Sequence, residues 1–261
     1  MTSIINQQKQ IEVWADWLNE NKPIFVGVLN AHVSRGKEVF SFEYDPLWLK
    51  SPQAFGLDPA LSLYSGKQYL ADEKPNFGVF LDSSPDRWGR TLIERREALL
   101  ARNEKRPVKK LMESDFLLGV FDQHRMGGLR FKYNDGPFLS DNKEFATPPW
   151  TSVRELEAIS LKLETDDAEN NPEYSQWLQM LFAPGASLGG ARPKATVCDH
   201  NGHLWIAKFP SKGDTHDVGA WEYIVYELAK NCGLNIPSAQ VINVGSKHHT
   251  FLSKRFDRTD S

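Results

Sequence analysis

The sequence predicts an α+β fold with antiparallel strands, and three observations carry that prediction. Strand-like runs come in pairs joined by short polar turns, as in IFVGVL–SRGK–VFSFEY and ATVCD–HNGH–HLWIAKF. Helical stretches with clear start signals stand between those pairs. A polar, proline-bearing stretch from Tyr133 to Pro149 divides the chain. The expected organisation is a small N-terminal domain of antiparallel strands and helices over 1–140, followed by a second domain over 150–261.

The first strand pair runs from Ile24 to Leu29 and from Val39 to Tyr44. Phe40, Phe42 and Tyr44 alternate with Val39, Ser41 and Glu43, which gives one buried face. Asp45-Pro46 stops the second strand. SSPDRWGRTLIERREALLARNE reads as a helix. Ser84 is placed to cap it, Pro85 suits its first turn, Asp86 complements its dipole, and Leu92, Leu99 and Leu100 are candidates for its buried stripe. Arg87, Arg90, Arg95, Arg96 and Arg102 read as a solvated face, with a phosphate or DNA contact as the alternative. A short helix at ESDFLLGVF takes Ser114 as cap, and GGLRFKY follows as a strand.

Beyond the dividing stretch, Ser152 with Glu155 suggests a capping box, and Asn171-Pro172 starts a second helix that ends near Ala183-Pro184. The next paired strands lead to a helix capped by Asp217 that runs through Leu228 and stops at Cys232-Gly233. VINVG and HTFLSKRF form a last hairpin.

Bulk properties exclude several classes. A formal charge of −3 provides no overall basic field to draw the chain onto nucleic acid. Cys198 and Cys232 have neither CxxC spacing nor a disulfide framework and read as reduced thiols. No apolar run approaches the roughly 20 residues of a membrane helix. The expectation is a soluble cytoplasmic protein. His124, His248 and His249 lack cysteine or acid at ligand spacing, so no metal site is expected from them.

The stretch GASLGGARPKATV, from Gly185 to Val197, poses the functional question. Alone it reads as a plain glycine turn into a hairpin. It is followed by a strand with a lysine amid apolar residues, Lys208 in WIAKFP, and by a helix with an acid near its start, Glu222. In that order a glycine loop covers phosphates, a strand lysine holds them and a helix glutamate orients the lysine. Phosphate oxygens need backbone N–H groups at close range, which bulky side chains obstruct. Each residue also has a plainer reading. Ser187 suits a turn hydroxyl, Arg192 and Lys194 suit solvated charges, Lys208 can extend into solvent along its stem, and Glu222 suits a surface helix acid.

These motifs together resemble the HipA-type toxin kinases of type II toxin–antitoxin modules. SLGGARPKATV resembles the family's loop of serine, small residues, glycine and lysine. WIAKFPS resembles its ATP-lysine strand, WEYIVYELAKNCGLNIP its next helix, and LSKRFDR its interlobe hinge. FEYDPLWL and DFLLGVFDQHRMGGLRF resemble the family's N-terminal domain. The resemblance implies a kinase-like N-lobe over 150–261 and a chain that is the N-terminal portion of such a kinase. It places Ser187 on the autophosphorylated serine and Gly189, Gly190 and Ala191 on the phosphate-covering segment. Lys194 joins that segment, and Lys208 falls on the ATP lysine. Lys254, Arg255 and Phe256 fall on the adenine hinge, where Lys254 replaces the family's acid, and Asp257 falls near the ribose. ATP and Mg2+ are the implied cofactors. A HipB-like helix-turn-helix antitoxin that binds operator DNA and a protein substrate of aminoacyl-tRNA synthetase type are the implied partners.

The family's catalytic aspartate and metal-binding residues belong to a helical C-lobe, and no HRD-like or DFG motif follows Lys208. NFG at Asn76–Gly78 lacks the acid and lies far upstream. Asp214, Asp217, Asp257 and Asp260 do not have the spacing of a metal site. The expectation is therefore a chain without the helical C-lobe. Its functional alternative is a non-catalytic module that holds an antitoxin or a separate C-lobe.

Overall fold

In a computed structural model of the protein, the structure describes residues 8–17, 22–70, 74–122, 124–134, 136–139 and 152–258. They form an α+β protein with two antiparallel sheets. The chain divides into two compact units, Met1–Pro85 with Lys110–Lys143, and Asp86–Lys109 with Glu144–Ser261. No helix among the described residues is long and apolar enough to cross a membrane.

The first unit is built on a five-stranded sheet. Its strands are β1 (Lys9–Ala15), β2 (Ile24–Ser34), β3 (Lys37–Tyr44), β4 (Gln68–Tyr69) and β5 (Leu129–Tyr133), in the order β4-β3-β2-β1-β5. β2 and β3 are the expected hairpin, longer at both inner ends. Ser34 pairs with Lys37 across Arg35-Gly36, whose φ angles of 51° and 78° make the two-residue turn that suits strand twist. Phe40, Phe42 and Tyr44 are buried as the alternation predicts, among Ile11, Leu29, Phe80 and Phe131. β1 is a strand that the sequence reading does not contain, although Ile11, Val13 and Ala15 bury one face at period two. Gly27 is fixed by close approach, because a Cβ there would lie 2.2 Å from the Glu43 carbonyl oxygen.

Short helices close the unit. α1 (Pro46–Lys50) is capped by Asp45, which accepts from the Leu47 and Trp48 N–H groups. α2 (Gly78–Asp82) takes up the end of the NFG segment. Ser84 does not cap a following helix, since its hydroxyl donates to the Phe80 carbonyl. In α4 (Glu113–Leu118) the cap position is Met112, and the Asp115 carboxylate accepts the Met112 N–H. Ser114 is instead buried, bonded to Glu38 and Lys9, so a non-local polar cluster displaces its capping role. Of the expected dividing stretch, Phe138 bridges back to Lys132, while 140–149 lie outside the described residues.

DFLLGVFDQHRMGGLRF supplies the unit's buried ionic centre. Arg125 has no exposed surface. Its guanidinium donates to Asp122 at 2.8 Å and to the carbonyls of Ser83 and Leu117 at 2.6 and 2.9 Å, and it stacks on Phe131. Asp122 also accepts the Phe131 N–H, at 3.1 Å. One buried side chain thus satisfies several backbone carbonyls and a buried carboxylate at once.

The second unit begins with α3 (Arg87–Asn103) and continues with α5 (Val153–Leu163) and α6 (Tyr174–Gly185). A four-stranded sheet follows, made of β6 (Lys194–Cys198), β7 (Leu204–Lys208), β8 (Ala239–Ile242) and β9 (Thr250–Lys254) in the order β6-β7-β9-β8, with α7 (Val218–Asn231) between β7 and β8 in sequence. The buried stripe of α3 is Trp88, Leu92, Ile93 and Ala101; Leu99 is half-buried and Leu100 exposed. Three arginines of the expected solvated face work within the unit. Arg95 donates to the Leu163 carbonyl, Arg102 meets Glu169, and Arg96 lies over the Phe182 ring. Ser152 occupies the cap position of α5 but is helical in backbone and makes no capping bond, so the expected capping box is not formed.

Arg125→Leu leaves buried Asp122 with only the more distant Arg130, at 3.6 Å, and strips the Ser83, Leu117 and Val120 carbonyls of a donor. Urea unfolding should show a loss of about 3–5 kcal/mol; a loss under about 1 kcal/mol would mean that the network is dispensable.

Candidate functional site

Register decides which side chains share a face. Lys194 stands opposite Lys208 and Thr196 opposite Ile206. On the other side of β7, Phe251 faces Lys208 and Ser253 faces Ile206, and Val241 of β8 faces Phe251. Directly paired residues project to one side of a sheet. One face therefore carries two lysines at one end and Ile206, Phe251 and Val241 as an apolar floor. The opposite face, with Ala195, Val197, Trp205, Ala207 and Leu252, is buried. Lys254 pairs with Trp205 and so projects away from Lys208.

Lys208 does not extend free into solvent. Its ammonium bonds the Glu222 carboxylate and lies 5.3 Å from the Phe251 ring centre. Glu222 reaches it because α7 runs close against β9. A Cβ on Gly219 would lie 2.1 Å from the His249 carbonyl oxygen, so only glycine permits that approach. Asp217 secures the same corner. It accepts the Ala220 N–H at 3.0 Å as helix cap and the His249 N–H at 3.1 Å, and the His249 ring nitrogen lies 2.5 Å from its other oxygen. Burial alone would raise the Asp217 carboxyl; the His249 contacts and the capped N–H outweigh it and hold the group down to about 2.

The glycine loop leaves α6 with Ala186, Ser187 and Leu188 buried and Gly189 to Ala191 exposed. No heavy atom lies within 4 Å of a Cβ built on Gly189, so its backbone is open to a ligand. Gly190 has φ +82°, and the Lys194 amine lies 3.2 Å from where its Cβ would be. Lys194 is buried and donates to the Arg192 carbonyl at 2.7 Å. Burial, then the neighbouring Lys208 charge, pushes its amine down to about 8. Arg192 is not a solvated charge either, since it binds both Asp214 oxygens at 2.8 and 2.6 Å.

Two residues that sequence reasoning missed hold the loop from α3. Asp86 accepts the Gly190 N–H at 2.8 Å. Trp88 donates its backbone N–H to the Gly190 carbonyl at 3.0 Å and its indole N–H to the Lys194 carbonyl at 2.9 Å. The sequence marks Asp86 only as an acid that complements the helix dipole; in the structure it is the N-cap of α3, and its loop partner lies 104 residues on.

The structure thus gathers Gly189, Gly190, Ala191, Lys194, Lys208 and Glu222. Ser187 is buried behind them at 4% exposure. At the predicted hinge, the N–H groups of Lys254 and Arg255 bond the carbonyls of Ser238 and Leu204. Phe256 is 80% exposed. The Asp257 carboxylate is gripped by Arg255 at 2.9 and 2.7 Å and by Arg258 at 3.0 Å. Asp260 lies outside the described residues. Among the described residues no three His, Cys, Asp or Glu side chains cluster as a metal site.

Lys194 links the site to pH. Its folded pKa lies below the unfolded value, so the unfolded chain binds the extra proton and stability rises with pH from about 8 to about 10.4. Thermal melts across that window should rise in the wild type and flatten in Lys194→Met; an unchanged slope would assign it to another group. Gly219→Ala should cost about 1–3 kcal/mol as α7 is forced from β9; unaltered stability would refute the close approach.

No curated protein matches the chain. A family model does match, that of the HipA-like C-terminal domain, over residues 186–261. The expectation of an N-terminal portion is thereby corrected: the glycine loop, the paired strands, α7 and the last hairpin lie in what the family defines as its C-terminal domain. Residues 186–261 are similar to the HipA-like C-terminal domain, and that likeness covers the glycine loop, the paired strands, α7 and the last hairpin.

Proposed function

We propose that residues 186–261 form the ATP-binding part of a HipA-like serine/threonine kinase. The observation that carries this reading is the Lys208–Glu222 ion pair on a strand that also sets Lys194 beneath an exposed glycine loop. An ion-paired lysine is held in one place and presents its remaining N–H groups to a phosphate. Gly189 admits a phosphate oxygen, and the floor of Ile206, Phe251 and Val241 suits an adenine ring. The substrate class, a protein of aminoacyl-tRNA synthetase type, and control by a HipB-like antitoxin that contacts DNA belong to the same proposal.

The residues described do not fit the Mg2+ that this reading implies. Glu222 is bonded to Lys208, Asp214 to Arg192, Asp217 to His249 and Asp257 to two arginines.

A second reading, a binding module that holds an antitoxin or a separate C-lobe, is favoured by α7. Trp221, Ile224, Val225 and Leu228 recur at i, i+3, i+4 and i+7 and are all about half exposed or more. Gly219 is the only residue of α7 that is fully buried. Such an apolar stripe is the usual mark of an interaction surface.

Calorimetry with ATP tests the leading reading. Lys208→Ala removes a charge-assisted contact of about 1.5–3 kcal/mol, so affinity should fall roughly 10- to 150-fold. ATP binding that ignores this substitution would place the nucleotide elsewhere.

A further inference from the structure

We propose that Asp86 is a built-in anion of the glycine loop, occupying Gly190 N–H and competing with an incoming phosphate for it. This rests on the phosphate-site reading and goes beyond it, because it assigns a regulating contact to a residue outside residues 186–261.

The bonds around the loop divide by function. Trp88 holds carbonyl groups, those of Gly190 and Lys194. Asp86 holds the N–H of Gly190, the kind of group that a phosphate oxygen needs. When Asp86 swings away, both Trp88 bonds remain, so the loop keeps its position while its donor is freed. Asp86 is exposed and able to leave. Its second oxygen accepts the Arg87 N–H at 2.8 Å, at the start of a 17-residue helix. The carboxyl is held below its ordinary range by the Gly190 N–H first and the Arg87 N–H next, with Lys194 adding attraction. The carboxylate therefore draws on the same donor and the same cation that a phosphate would use. An arriving polyphosphate has to displace it or approach against its charge.

The test is calorimetric titration of the full chain with inorganic tripolyphosphate and with ATP, at fixed ionic strength, for wild type, Asp86→Asn and Asp86→Ser. Serine keeps an N-cap acceptor, so the helix start survives while the charge is lost. Both variants should bind tripolyphosphate about tenfold tighter than wild type, since a like charge has been removed from the site. Hydrogen exchange at Gly190 should quicken in Asp86→Ser. Unchanged or weaker binding in both variants, or no binding by any form, would overturn the proposal. Lys208→Ala separates it from the reading beneath it. A gain in the Asp86 variants with no effect of Lys208→Ala upholds the loop anion and rejects the nucleotide reading. ATP binding that depends on Lys208 but not on Asp86 does the reverse.

Discussion

The close approach of α7 to β9 at Gly219 is the constraint on which the second unit's site depends. A side chain at that position would overlap the His249 carbonyl and push the helix outward. Glu222, three residues along and nearly one turn up, would then lose Lys208. Asp217 fastens the corner by capping the helix and binding both the backbone and the ring of His249. One absent methyl group and one carboxylate thus set the position of an ion pair on a neighbouring strand.

The same sheet holds a deliberate imbalance. Like charges directly opposite on adjacent strands repel, and Lys194 faces Lys208 in that way. Glu222 offsets one of the two cations. The other is buried, has a carbonyl for a partner and loses its proton more readily than an ordinary lysine. That second cation lies beneath exposed glycine backbone, and the nearest carboxylate drawn to it is that of Asp86, which already accepts the Gly190 N–H.

Local signals were legible in the sequence and distant ones were not. The β2–β3 hairpin followed from alternation and an Arg35-Gly36 turn, and the α7 cap at Asp217 from its position before an apolar run. β1 alternates just as clearly, yet its strand lies close to a polar start that hides it. Ser84, Ser114 and Ser152 are sound caps by type, but a bond back to the Phe80 carbonyl, a tertiary contact to Glu38 and helical backbone diverted them in turn. Glycine loop, strand lysine and helix acid were readable as an ordered set. The clasp by Asp86 and Trp88 was not, because its partners lie about a hundred residues away, and no local pattern encodes a contact of that separation. The arginines of α3 illustrate the same limit, since a charged face looks solvated until the helices that cover it are known.

The second unit is also discontinuous in the chain, and that has a consequence for its birth. Arg95 of α3 bonds a carbonyl 68 residues further on, and the stripe of Leu92 and Ile93 awaits helices made later still. At 5–20 residues per second, a ribosome needs about 3–14 s to make those 68 residues. During that interval α3 is complete but has no partner helix, while the rest of the first unit's chain is still being made. Nascent chains of this protein should therefore expose the narrow apolar stripe of an otherwise arginine-rich α3 until the second unit can close over it.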